Sequence, residues 1–270
     1  MDIYQEVGRF YERATTEKRV VGQSLFGRDL FAVKVGDGRP ICIAQYAIHG
    51  REYITTKLAL AHCKTGVYKG SLWVVPLVNP DGALLAQKGI SSVADEEEKK
   101  RLLSINDGED FSLWKANGRG VDLNVNFPAR WGTGEKNIKT AGRENYIGQY
   151  PLSEKETLAL ANFTKEISPD YTVSYHTKGE EIYWYFYQEG EVYNRHFSLA
   201  KILSRSTGYP LASAGNSVGG YKDWCIQQFN IPSFTIEVGK DSLSHPLGEE
   251  AVADILAKNQ QALYALSKEF

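Results

Sequence analysis

A chain of 270 residues with 42% hydrophobic and 24% charged residues can bury a large core and still present an ordinary soluble surface. Its formal net charge of −2 argues against the broad cationic face that nucleic acid or an acidic membrane would require. Cys42, Cys63 and Cys225 are odd in number, widely spaced and set among apolar residues, so they read as buried thiols rather than a disulfide framework or a redox pair.

The first predicted element is an amphipathic helix over "MDIYQEVGRFYERA". Charges run through it, and no basic stretch leads into an apolar one, so it does not read as a signal peptide. No apolar run approaches the ~18 residues of a membrane span, and the expected location is the cytoplasm. "LFAVKVG" from 30, "ICIAQYAI" from 41 and "SLWVVPLV" from 71 are short and apolar or alternating, which predicts strands. "EYITTKLALAHCKTG", between the second and third, predicts a helix. "NPDG" at 79–82 predicts a turn, and "ADEEEKKR" at 94–101 a solvated helix or loop. "SEKETLALANFTKEI" predicts a helix opened by a capping box, with Ser153 three residues before Glu156.

Further strands are expected at "DYTVSYH" from 170, "EIYWYFYQ" from 181 and "SFTIEV" from 233, with the aromatic run "YWYFY" assigned to the sheet. The helix "NRHFSLAKILSRSTG" stops at its glycine, and a last helix covers "EEAVADILAKNQQALYALSKEF". Strands alternate with helices, with no repeat, linker or low-complexity tract. The pattern predicts one domain over residues 1–270, a three-layer α/β/α sandwich around a mixed, largely parallel sheet.

In such sheets ligands collect beyond the carboxyl ends of the strands. His49 and Glu52, in "YAIHGREYI", follow one strand; His176 ends another, and Glu237 closes a third. Two imidazoles and a carboxylate suit a catalytic zinc that keeps a fourth position for water. His49-x-x-Glu52 forms one chelating arm, and His176 closes the site once the chain has folded. Zinc lowers the pKa of its water to about 7 and polarises a carbonyl, so hydrolysis then needs a base. Glu237 is assigned that role, because burial in an apolar strand raises its pKa toward the working pH. His62, His196 and His245 read as structural, lying in an apolar helix, a charged helix and a turn.

Several stretches, in order, resemble the zinc carboxypeptidase family with its carboxypeptidase A-like fold: "HGREYI", "VPLVNPDGA", "WKANGRGVDLNVNFPARW", "YPLSEKETLAL", "SYHTKG" and "FTIEVG". The resemblance covers nearly the whole chain and implies metallopeptidase activity with the ligand and base roles given above. It also implies a carbonyl-polarising cation at Lys115, with Arg119 as the alternative. Asn124 is kept, but Val125 stands where the typical motif has an arginine that grips the substrate's C-terminal carboxylate. An isopropyl group makes no bidentate pair. The tyrosine that closes over substrate in the digestive members falls near Gly215, with Tyr221 close by.

These departures, together with "HTKGEEIYWYF" and "NVNFPARW", resemble the bacterial branch that cleaves γ-D-glutamyl-diaminopimelate bonds in cell-wall muropeptides. For such a stem peptide Lys178, Arg130 and Lys222 are the expected anion contacts. Lys222 leads because its segment forms the specificity pocket of the digestive relatives. Glu180 or Glu181 is expected to meet the amine of diaminopimelate. The function this implies is hydrolysis of that bond by a zinc-bound water, with a muropeptide stem peptide as partner and neither nucleic acid nor membrane. A carboxypeptidase or small-molecule amidohydrolase with atypical carboxylate recognition is the second enzyme reading. A non-catalytic peptide-binding module is the third, and it would be marked by a lost ligand or base. The oligomeric state stays open.

Overall fold

The computed structural model describes residues 1–212 and 217–270. Its strands are β1 Lys18–Gln23, β2 Asp29–Gly36, β3 Ile41–Tyr46, β4 Ser71–Val75, β5 Tyr171–Thr177, β6 Glu181–Tyr183 and β7 Ser233–Val238. They form one sheet in the order β1-β2-β4-β3-β5-β7-β6. The centre is parallel: β4, β3, β5 and β7 run together. The margins are antiparallel, with β2 on β4, β1 on β2 and β6 on β7.

Helices cover both faces. They are α1 Ile3–Arg13, α2 Thr55–Thr65, α3 Pro80–Lys88, α4 Glu96–Asn106, α5 Lys155–Ile167, α6 Gly190–Thr207, α7 Tyr221–Phe229, α8 Val252–Asn259 and α9 Ala262–Ser267. Cys42, Ala44, Leu72 and Val74 pack on one side with Leu58 of α2, Leu203 of α6, Ile255 of α8 and Leu263 of α9. Ile43, Trp73 and Val75 pack on the other with Phe163 of α5 and Trp224 of α7. Burial on both faces is why the central strands read as continuous apolar runs rather than alternating ones. The sandwich is the architecture expected. Among the described residues no helix is long and apolar enough to cross a membrane.

The structure departs from the sequence expectation in several places. β1 carries no strand signal in the sequence: it is an edge strand with a register shift between Val20 and Gly22, and Val20 is exposed, so no alternation marks it. "NPDG" opens α3 instead of making a turn: the Asn79 side chain accepts from Gly82 N–H at 2.9 Å, and Pro80 sits in the first turn, where its missing N–H costs nothing. α5 has no capping box. Its cap is Glu154, the Ser153 hydroxyl donates to that carboxylate at 2.8 Å, and Glu156 is buried. The last helix is divided into α8 and α9. "ADEEEKKR" is a solvated helix, α4, held by pairs such as Lys99–Glu96 and Lys100–Glu97.

The aromatic run leaves the sheet. β6 stops at Tyr183, and only Glu181, Ile182 and Tyr183 pair with β7. Buried Ile182 anchors this short strand, while Tyr185, Phe186 and Tyr187 turn away to wall a cavity.

Candidate active site

β3, β5 and β7 run parallel and in register, so the residues at their ends arrive at one edge of the sheet. β3 ends at Tyr46, and three residues later His49 caps a single tight turn, Gly50–Glu52. Gly50 is required there, because a Cβ would stand 2.5 Å from the backbone of Gly82. The turn brings Glu52 back onto His49, with Oε1 2.9 Å from Nδ1. From β5, His176 Nδ1 lies 3.0 Å from the other Glu52 oxygen and 3.1 Å from His49 Nδ1.

All three side chains are buried. Two imidazole nitrogens so close leave room for at most one proton between them, so lone pairs converge here with a carboxylate. Donor atoms around a tetrahedral zinc stand about 3.3 Å apart, given bonds of roughly 2.0–2.1 Å. The observed spacings fall a few tenths of an ångström inside that, so the donor set fits a zinc ion. Among the described residues it is the one group of metal-binding type whose ligand atoms all lie within 4.8 Å of one another.

Asp122 orients the first histidine. Its Oδ1 is 3.1 Å from His49 Nε2, which places the proton on Nε2 and frees Nδ1 to face Glu52 and His176. Asp122 is fully buried and also accepts from Lys115 Nζ at 2.8 Å and Asn145 N–H at 3.1 Å. Burial alone would raise its pKa, but Lys115 and His49 outweigh burial and hold it well below the usual carboxylate range. Burial also works to raise Glu52, and His49 and His176 likewise hold it well below that range.

Glu237 behaves in the opposite way. It is the direct strand partner of His176, so the two side chains share a face. Its Oε2 is buried without a hydrogen-bond partner, and burial pushes the carboxyl up to about 8. A divalent cation beside it would draw that value down. One carboxylate is therefore held ionised among imidazoles, and its neighbour is poised to take up a proton.

These groups open on a cavity of about 700 Å³. His49, His176 and Glu237 lie at its base, with Lys115, Asn124, Val125 and Lys222 on its walls. Lys115 is bound to Asp122, and Asn124 Oδ1 accepts from Tyr221 N–H at 3.1 Å.

Other expected contacts lie elsewhere. Arg119 pairs with Glu154 at 3.1 Å, off the cavity wall, so of the two alternative cations only Lys115 lines it. Arg130 stacks on the Tyr187 ring, 4.1 Å from its centroid, and does not line the wall. Lys178 is drawn to Asp241 at 2.8 Å and Glu180 to Lys258 at 2.6 Å. Glu181 accepts from Tyr183 OH at 2.6 Å and is also off the wall. Tyr221 is no closing tyrosine. It is fully buried beside Phe127 and Trp224, with its hydroxyl 2.8 Å from that of Thr164. Gly215 lies outside the described residues.

The structure adds residues the sequence did not single out. Asp122 sits inside "GVDLN", an acid set between the apolar Val121 and Leu123. Asp223 lines the cavity beside Lys222, and Arg51, paired with Glu144 at 3.4 Å, lines it too. His62 is a core residue between Tyr46 OH at 2.6 Å and the Asn259 carbonyl at 3.0 Å, and burial lowers it to about 4. The three cysteines are free, with Cys42 and Cys225 buried.

Residues 5–253 match the family model of zinc carboxypeptidases. The chain is 34% identical over 249 residues to a protein named gamma-D-glutamyl-L-diamino acid endopeptidase 1 from Lysinibacillus sphaericus, covering 85% of this chain and 62% of that one. It is 33% identical over 146 residues to murein peptide amidase A of Escherichia coli strain K12, covering 50% of this chain and 56% of that one. The chain thus spans about three fifths of the length of the curated relatives it matches. Among solved structures, bovine thrombin-activatable fibrinolysis inhibitor superposes with a TM-score of 0.79 at 19% identity, covering 100% of this chain and 96% of that one. The murein-tripeptide amidase of Escherichia coli O157 superposes at 0.64 with 24% identity, covering 96% and 95%. Both show the fold.

Proposed function

The chain belongs to the zinc carboxypeptidase family, and from that premise we propose that it hydrolyses the γ-D-glutamyl bond to the diamino acid of cell-wall stem peptides. The observation that carries the reading is the convergence of His49, Glu52 and His176 at the base of a cavity that also presents Glu237 and Val125. His49, Glu52 and His176 would hold the zinc. When bound, it would polarise the scissile carbonyl and make water a stronger acid.

The chain's own residues do the rest. Glu237 takes the proton from the attacking water at its unpartnered carboxylate oxygen and returns it to the leaving amine. Asp122 fixes the His49 ring, and Lys115 holds Asp122 while placing an ammonium on the cavity wall. Val125 leaves the wall without the guanidinium that would select a free C-terminal α-carboxylate. The protein named for γ-D-glutamyl-L-diamino acid cleavage, at 34% identity, supports the choice of bond.

The test is product analysis. Zinc-loaded protein incubated with L-Ala-γ-D-Glu-diaminopimelate should release L-Ala-D-Glu and free diaminopimelate, seen by mass spectrometry. Equal cleavage of N-blocked L-peptides would instead assign a general carboxypeptidase, and binding of the stem peptide without cleavage a peptide-binding module.

A further inference from the structure

Lys222 is not a free cation. Its Nζ stands 2.5 Å from Asp223 Oδ1 and 3.0 Å from the Tyr185 carbonyl. The other Asp223 oxygen accepts from Gly220 N–H at 3.2 Å. Both side chains line the cavity, and they are only 11% and 7% exposed. An ammonium has three N–H groups, so one is left over; a carboxylate has about four lone-pair sites, so acceptor capacity also remains. The pair as a whole is neutral. A lone carboxylate drawn to Lys222 is repelled by Asp223 at nearly the same distance, and a lone ammonium meets the reverse. A group carrying both charges one carbon apart satisfies both at once.

The sheet beneath the cavity carries polar side chains as well. Thr235 lines the cavity, and its strand partner Ser174, followed by Gln45, shares that face of the sheet. The Ser174 hydroxyl and both polar atoms of the Gln45 amide are buried without a hydrogen-bond partner. Of these three only Thr235 lines the cavity itself, adding a hydroxyl to its wall.

We propose that Lys222 and Asp223 together form a receptor for a zwitterionic α-amino-acid head at the end of the substrate's side chain. This rests on the stem-peptide reading above and deepens it, since the far end of diaminopimelate carries such a head. Lys222 donates to its carboxylate and Asp223 accepts from its ammonium. The neutrality of the pair disfavours side chains with a single charge.

The experiment compares the parent stem peptide with three analogues: the distal carboxylate amidated, the distal amine acetylated, and lysine in place of diaminopimelate. Each change removes one charge-assisted contact and should lower kcat/KM about tenfold or more, chiefly through KM. The double variant Lys222→Met/Asp223→Asn removes both charges together, so no buried charge is stranded, and it should shrink the preference to about twofold or less. Calorimetric binding of the same peptides to the Glu237→Gln protein reads recognition without turnover and should give the same order. Analogues bound and cleaved within twofold of the parent would overturn the receptor, as would a preference unchanged in the double variant. If the order of binding holds and no peptide is cut, the receptor stands and the peptidase reading fails. If all are cut and bound equally, the peptidase reading stands and the receptor fails.

Discussion

His49 and Asp122, far apart in sequence, meet in the buried base of the cavity with Nε2 3.1 Å from Oδ1. The contact fixes the ring and its tautomer, and with them the direction in which the His49 lone pair points. Asp122→Asn keeps the shape and removes the charge. Zinc affinity, measured by competition with a chelator, should fall by about 10- to 100-fold while the fold is retained. Unchanged affinity would remove Asp122 from the site's supporting structure.

Glu237→Gln separates catalysis from metal binding. The amide cannot take up the proton, so turnover should drop by about 10²–10⁴-fold while bound zinc is unchanged. Turnover near that of the unmodified chain would contradict the base assignment. Loss of zinc together with activity would instead make Glu237 a support of the metal site.

Val125→Arg tests the missing guanidinium. Val125 faces the cavity, so a longer side chain has room to extend into it. Gaining one charge-assisted contact should raise kcat/KM for N-blocked L-peptides by about tenfold relative to a stem peptide whose diaminopimelate carboxylate next to the scissile bond is blocked as an amide. A constant ratio would mean that carboxylate recognition is organised elsewhere on the wall.

Glu156 predicts a pH dependence of stability independent of the catalytic groups. It is fully buried, accepting from Leu25 N–H at 3.1 Å and Asn117 Nδ2 at 3.3 Å. Burial, and then the nearby Asp81 carboxylate, push it from 4.5 up to about 7. The folded protein therefore binds the proton more tightly than the unfolded chain. This contribution to stability is fully present below pH 4.5 and is lost as pH rises through about 7. The loss is on the order of 3 kcal/mol at most. Denaturant unfolding of Glu156→Gln should show that slope removed, so that the variant gains on the parent between pH 5 and about pH 8. Parallel pH profiles would contradict it.

How much of this could be read from the sequence depends on which interaction sets each feature. His49, Glu52, His176 and Glu237 were legible because each follows or ends an apolar run, and parallel strands deliver their ends to one edge. Asp122 is not, because loop packing brings its partner His49 to it, and Asp223 is not, because only the placement of α7 turns it and the adjacent Lys222 toward the cavity. Lys178 and Glu180 read as substrate contacts in the sequence, and the fold sets them beside Asp241 and Lys258, off the cavity wall. The "YWYFY" run has strand propensity, yet β6 pairs only through Tyr183; Trp184 packs into the core, and Tyr185, Phe186 and Tyr187 wall the cavity. Tertiary context decided each of these against local preference.

The central claim is that His49, Glu52 and His176 hold one zinc ion on which hydrolysis depends. Metal analysis of the purified protein beside His176→Ala tests it most directly. The account predicts about one zinc per chain in the parent and most of it lost in the variant. A parent protein without zinc, whose activity added zinc does not restore, would contradict it.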